Sequence, residues 1–112
     1  MTVAFNKIGQ VMVMSPAGRL DAETAPHLQD EIMTHVDGGE TSVLLELSGV
    51  DYVSSAGLRA ILLIAKKLQE LDGRFALCGM SEPIANVFQV TGFDAILDIH
   101  PDQEGALAVM AG

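Results

Sequence analysis

The first twenty residues of this chain predict two strands joined by a tight turn. Apolar and polar side chains alternate at residues 3–5, Gly9 marks a turn, and residues 11–14 are continuously apolar. Pro16 and Gly18 are expected to end the second strand. The chain therefore opens with a predicted β-hairpin.

A repeat of apolar residues at every fourth position predicts the first helix. Thr24 is a suitable N-cap, Pro26 falls in the first turn, and residues 37–39 provide a stop. The apolar stripe of this helix consists of Leu28, Ile32 and Val36.

The second predicted helix covers residues 55–71 and is unusually apolar. Its core-facing stripe consists of Leu58, Ile61, Leu62, Ala65 and Leu68. Leu63 and Ile64 widen the apolar surface beyond one stripe. The helix is therefore either deeply packed, or it exposes part of this surface for contact with another molecule.

The other segments continue the alternation of strands and helices. Further strands are predicted at residues 43–47, 74–78 and 95–99, the first of them covered on both faces. A third helix follows Ser81 and closes at Gly92, and a terminal helix covers residues 101–110, with a short tail at 109–112. This order predicts a single domain, residues 1–112, of the α/β class: a mixed β-sheet that opens with a hairpin, followed by strand–helix units with about four helices.

Composition and charge argue against several kinds of partner. The chain carries six basic residues and a net charge of −9, too few cations for a continuous phosphate-binding track, so nucleic acid is not expected. No uncharged apolar run approaches the roughly 18 residues that span a bilayer, and residues 1–10 lack a secretory leader's features. The single cysteine, Cys78, rules out an internal disulfide. We therefore expect a cytoplasmic protein with no membrane insertion.

The chain shows little sign of catalytic chemistry. His27, His35 and His100 are scattered, and none forms the i, i+4 pair typical of a metal site. Cys78 ends an apolar strand without a neighbouring base, which favours a structural thiol over a nucleophile. No glycine-rich nucleotide loop is present. We therefore predict no catalytic residue, no metal and no cofactor.

Two adjacent hydroxyls, Ser54 and Ser55, lie where the second predicted helix begins. The first turn of a helix has unpaired backbone N–H groups and the positive end of the helix dipole, so it tolerates a carboxylate or phosphate. A simple alternative is that one serine is only an N-cap. Both roles are compatible, because one serine can cap the helix while the other is modified, and a helix that begins at Ser55 has Ser54 as its cap. Arg59, Lys66 and Lys67 follow on the same helix.

Several segments in order along the chain resemble one known family. The segment from Ser54 to Leu58 resembles the signature of the anti-sigma factor antagonists, the stand-alone bacterial members of the STAS domain family. The resemblance extends over the whole chain, through Gly18-Arg19-Leu20-Asp21, Leu45-Glu46-Leu47-Ser48-Gly49-Val50, Ser81-Glu82-Pro83-Ile84, Thr91-Gly92-Phe93 and Ala106-Leu107.

This resemblance implies a regulatory binding protein that is not an enzyme. Such proteins bind an anti-sigma factor that is also a serine kinase of the GHKL type, and phosphorylation at the start of the second helix breaks the complex. A serine phosphatase resets the switch. Aligned on Gly57-Leu58, the acceptor is Ser55, while Ser54 replaces the family's usual aspartate and Ala56 its second hydroxyl residue. The implied partner-binding residues are Asp21, Ser54, Ser55, Ala56, Gly57 and Arg59.

Other functions remain open at this point. A STAS domain without phosphorylation serves as a scaffold, a ligand sensor or an accessory module in lipid transport, and an unrecognised small enzyme is a third class. A small, strongly acidic domain is expected to be monomeric when free.

Two structural expectations follow from the predicted topology. Asp21 and Ser55 should lie side by side, because both follow strands at the carboxyl edge of the sheet. Gly57, inside the first helical turn, should leave room for a partner, so Gly57→Ala should weaken binding more than stability. Tight packing of the helix on the sheet is the alternative explanation for this glycine.

Overall fold

The computed structural model of the protein describes residues 1–111 and confirms the α/β class. The described residues form six strands of one mixed sheet and four α-helices. Their bounds are β1 Thr2–Ile8, β2 Val11–Leu20, α1 Ala25–Asp37, β3 Ser42–Glu46, β4 Gly49–Val53, α2 Ser55–Glu70, β5 Arg74–Cys78, α3 Glu82–Val90, β6 Ile99–His100 and α4 Gln103–Met110. The predicted tail begins inside α4, and Gly112 lies outside the described residues.

The sheet has the strand order β1-β2-β3-β5-β6, with β4 attached to β2. Strand β1 runs antiparallel to β2, which confirms the opening hairpin, and all other pairs are parallel. Strand β2 changes its parallel partner along its length. Residues 12–14 pair with β3, and residues 17–20 pair with β4.

The prediction that Pro16 and Gly18 end the second strand is wrong, because β2 continues to Leu20. Pro16 lies between the residues that pair with β3 and those that pair with β4, so neither parallel ladder includes it. Gly18 has a φ of 108° and marks a shift of register against β4. A bulge at a glycine therefore bends the strand without ending it.

Two other strand predictions need correction. Strand β4 was not predicted, because only Val50 and Val53 of its five residues are buried and the apolar signal is weak. The predicted strand at 95–99 is reduced to Ile99–His100, since residues 93–95 form a turn of 3₁₀ helix after Gly92, which has a φ of 80°.

The core lies on both faces of the sheet. Helices α1, α2 and α3 cover one face, where Met14, Leu45 and Phe88 are completely buried. Helix α4 covers the other face, against Leu44, Ala76 and Cys78. Neighbouring residues of β3 thus point to opposite layers, which confirms that this strand is covered on both sides. Helix α2 is deeply packed at Ile64, which is buried, but it also exposes part of its apolar surface at Leu63, which is 47% exposed. Both alternatives predicted for this helix therefore apply in part.

Candidate functional site

The carboxyl ends of β2 and β4 lie next to each other and bring two loops together. Leu20 and Val53 are partners in the parallel ladder, and the backbone N–H of Ser54 donates to the carbonyl of Leu20 at 2.9 Å. Asp21 follows Leu20, and Ser55 follows Ser54. The predicted juxtaposition of the Asp21 turn with the start of α2 is therefore confirmed.

The two serines at the start of α2 have different environments. Ser54 is the N-cap in extended conformation, and its Oγ accepts a long 3.3 Å hydrogen bond from the backbone N–H of Gly57. Ser55 is the first helical residue and is exposed. Among residues 1–111 its hydroxyl has no hydrogen-bond partner. The predicted cap at Ser54 is confirmed, and the hydroxyl of Ser55 is available to another molecule.

Asp21 organises the loop that leads into α1. Its Oδ1 accepts hydrogen bonds from the backbone N–H groups of Glu23 at 3.0 Å and Thr24 at 3.1 Å. The Thr24 hydroxyl in turn accepts from the backbone N–H of Asp21 at 2.9 Å. The two backbone bonds to Oδ1, above all the one from Thr24, hold the pKa of the Asp21 carboxyl below its usual value. Asp21 is thus an ionised residue that shapes the loop beside Ser54.

Two stacked side chains lie near the ends of β2 and β4, just before the loops of the site. Arg19 and Tyr52 are partners across β2 and β4, and the guanidinium carbon lies 4.1 Å from the centre of the tyrosine ring. The Nε atom of Arg19 lies 3.6 Å from Oδ2 of Asp21. Sequence reasoning missed this pair, because the pairing depends on β4, which was not predicted. Had β4 been recognised, two exposed residues opposite each other in adjacent strands would have indicated the contact.

Gly57 is buried and contributes to the site through packing. A Cβ at this position would lie 2.7 Å from the carbonyl oxygen of Leu20 and 2.8 Å from its Cγ. These distances are too short for a carbon contact. The packing alternative therefore explains the glycine, and the idea that Gly57 itself leaves room for a partner is not supported by its burial.

Ala56 and Arg59 face away from the sheet, toward α1. Both line a shallow groove of about 180 Å³ between the two helices. Arg59 is exposed, one helical turn after Ser55. The predicted site residues therefore divide into a loop cluster, a buried glycine and two residues of the groove between α1 and α2.

Other reactive side chains lie apart from this site. Cys78 is completely buried, and burial raises the pKa of its thiol to about 11, as expected for a structural cysteine. His100 Nε2 lies 2.9 Å from Asp98. Within residues 1–111 no group of three or more His, Cys, Asp or Glu side chains is placed to hold a metal ion. In the same part of the chain, no helix has the length and apolar character needed to cross a membrane.

The sequence profile of the STAS domain matches residues 2–106. The chain belongs to the STAS domain family. It is 35% identical over 108 residues to BtrV of Bordetella bronchiseptica, provisionally named an anti-sigma factor antagonist, with 96% of this chain and 93% of BtrV covered.

Solved structures share the fold described above. A provisionally named anti-sigma factor antagonist from Thermotoga maritima superposes with a TM-score of 0.93 at 23% identity, covering 98% of this chain and 95% of the other. The anti-sigma factor antagonist SpoIIAA in its unphosphorylated form gives a TM-score of 0.80 at 19% identity, covering 99% and 98%. The phosphorylated form of SpoIIAA, from Bacillus, gives 0.69 at 19% identity, covering 96% and 99%.

Proposed function

We propose that this STAS domain protein is an anti-sigma factor antagonist that is switched by phosphorylation of Ser55. Its partner is an anti-sigma factor of the GHKL serine-kinase type, which binds the surface formed by the Asp21 turn and the first turn of α2. The observation that carries the proposal is the exposed hydroxyl of Ser55 beside a capping Ser54. The names of BtrV and SpoIIAA support the same class of function.

The position of Ser55 suits a reversible electrostatic switch. Phosphorylation would add about −1.5 to −2 charges and three acceptor oxygens at the N-terminus of α2. Unpaired N–H groups and the helix dipole stabilise such a charge in the free protein. A partner surface docked against Ser55 would instead have to bury it. The phosphate therefore lowers affinity without unfolding the domain.

Ser54 in place of the usual aspartate preserves the local geometry. A serine caps a helix about as well as an aspartate, so the first turn keeps its conformation. The substitution removes one negative charge next to the acceptor. In this proposal Asp21, which lies beside Ser54 across the two strands, is the nearby carboxylate for a basic residue of the partner.

The chemistry in this scheme belongs to other proteins. The kinase transfers the phosphate, a serine phosphatase removes it, and this chain acts as a cytoplasmic binding protein, monomeric when free, without catalytic activity of its own. Its buried thiol and dispersed histidines fit this role.

Mass spectrometry after incubation with the cognate anti-sigma factor and ATP tests the proposal. We expect one phosphate, on Ser55, and loss of the complex in gel filtration. Ser55→Ala should bind and stay bound, and Ser55→Asp should bind poorly because an added charge is costly in a docked interface. Ser54→Ala is the matched control and should still accept phosphate.

The possible outcomes separate the alternatives. Phosphate on Ser54 alone would refute the assignment of the acceptor. A stable complex that never becomes phosphorylated would indicate a STAS scaffold without the switch. No complex with the anti-sigma factor would refute the antagonist function itself.

A further inference from the structure

A continuous groove separates the exposed sides of α1 and α2. It consists of two adjoining depressions of about 180 and 300 Å³, and Gln29 and Leu63 line both. Alanines and a proline line the smaller depression, near Ser55, and Met33 lines the larger one. From Ala56 to Glu70 the groove follows 15 residues of α2, whose first and last members are about 21 Å apart at a rise of 1.5 Å per residue. A partner helix of about four turns has this length.

The charge of the groove is opposite to that of the chain. Its α2 side carries Arg59, Lys66 and Lys67 against one acidic residue, Glu70, which gives three positive charges and one negative, or +2. These three residues are half of the six basic residues of a chain with net charge −9. Within residues 1–111 none of the three forms a salt bridge.

The α1 side of the groove is neutral. Its lining residues are Ala22, Ala25, Pro26, Gln29 and Met33. Between this wall and the cations lies the apolar side chain of Leu63, which is 47% exposed. A ligand must therefore offer apolar side chains along its centre and negative charge along one edge only.

We propose that this groove binds an acidic amphipathic helix of the protein partner. Apolar side chains of the helix contact Leu63 and Met33, and its carboxylates face Arg59, Lys66 and Lys67. This inference rests on the proposed function, since the partner is the anti-sigma factor. An anionic membrane or nucleic acid fits less well, because an extended anionic surface also meets the acidic remainder of the chain, whereas one helix meets only the local cations.

The groove also relates the partner's charge to the switch. It begins at Ala56, directly after Ser55, so a phosphate on Ser55 stands at the end of the bound helix. The phosphate would repel the helix carboxylates and compete for Arg59, one turn away on α2. An acidic partner helix is therefore displaced by a modification that a neutral helix would tolerate.

Titration of the cognate anti-sigma factor against two groove variants tests the inference. Leu63→Glu should raise the Kd by about tenfold or more, because it places a charge in the apolar centre of the interface. The double variant Lys66→Gln/Lys67→Gln should raise the Kd by about fivefold and reduce its dependence on salt. Wild-type unfolding temperatures for both variants would show that the fold is intact.

Matched controls lie on α3, away from the groove. Val90→Glu introduces the same charge at another exposed apolar residue, and Asn86→Glu/Gln89→Glu changes the net charge by the same −2 as the lysine pair. Both controls should bind within about twofold of wild type, as surface changes outside an interface do.

The outcomes distinguish this inference from the proposed function. If wild type does not bind the anti-sigma factor, the proposed function fails. If wild type binds and the folded groove variants bind equally well, the groove inference alone is overturned. It is also overturned if vesicles of phosphatidylglycerol and phosphatidylcholine retain wild type and lose the lysine variant, since the groove would then be a lipid site.

Discussion

Replacing Gly57 with alanine tests whether this glycine is required for the packing of α2 on the sheet. The new Cβ would lie 2.7 Å from the carbonyl oxygen of Leu20, whereas ordinary contacts begin at 3.4 Å, so the two groups must separate by about 0.7 Å. Leu20 is completely buried and its carbonyl accepts the N–H of Ser54, so it cannot move freely. Overpacking of this kind costs about 1–3 kcal/mol.

A gain in helix propensity opposes this cost. Alanine is better than glycine inside a helix by about 1 kcal/mol, which leaves a net destabilisation of about 0–2 kcal/mol. For a chain of this size we expect the midpoint of thermal unfolding to fall by about 4–8 °C for each kcal/mol of stability lost. Urea unfolding should give the same loss of free energy with an unchanged m-value.

Gly105 supplies a matched control on α4. Like Gly57, it is the third residue of a helix and donates its N–H to the side chain of the N-cap, here Asp102 at 2.7 Å. Its Cβ would meet only the end of that flexible side chain, at 3.2 Å. Gly105→Ala should therefore be neutral or stabilising by up to about 1 kcal/mol. If Gly57→Ala proved as stable as Gly105→Ala, the packing argument would be refuted.

Three further predictions concern the site and the core. Ser54→Ala should lower the free energy of unfolding by about 1 kcal/mol, measured in urea, because the cap of α2 is lost. The pKa of the Asp21 carboxyl is lowered in the fold, so its stabilising effect is present above the unfolded value near 3.9 and lost as the pH falls through the folded value. Urea titrations below about pH 4 should therefore show a smaller acid-induced loss for Asp21→Asn than for wild type; equal losses would contradict this. Since the pKa of the Cys78 thiol is about 11, Ellman's reagent at about pH 8 should label it only after denaturation, and rapid labelling of the folded protein would show that the thiol is accessible.

The elements that sequence reasoning predicted well have strong local signals. Helix α2 was predicted to within one residue of its end, because its stripe is long and Ser54 is a good cap. The same stripe could not decide whether Leu63 was buried, since that depends on where α1 lies. The chain order also placed Asp21 beside the serines, because both segments follow strands that turned out to be parallel neighbours.

The missed features depend on contacts between distant segments. Strand β4 has too few buried residues for a clear pattern. It pairs with residues 17–20 of β2, beyond the residues 12–14 that pair with β3, and no local sequence pattern indicates this change of partner. The stack of Arg19 on Tyr52 and the continuation of β2 past Pro16 both follow from that pairing. The clash at Gly57 likewise depends on Leu20, which no local pattern brings near.

The change of partner along β2 divides the strand into two parts of unequal local stability. Residues 12–14 are held between β1 and the buried centre of β3, residues 43–45, so their amide protons should exchange with solvent only when the whole domain unfolds. Within the described part of the chain, residues 18–20 pair only with the short, half-exposed β4, and their amides should exchange through local opening. Both strands of this less stable part lead directly into the site, β2 into Asp21 and β4 into Ser54. A change at Ser54 or Ser55 can therefore alter how often β4 separates from β2, while the hydrogen bonds between the central strands stay intact.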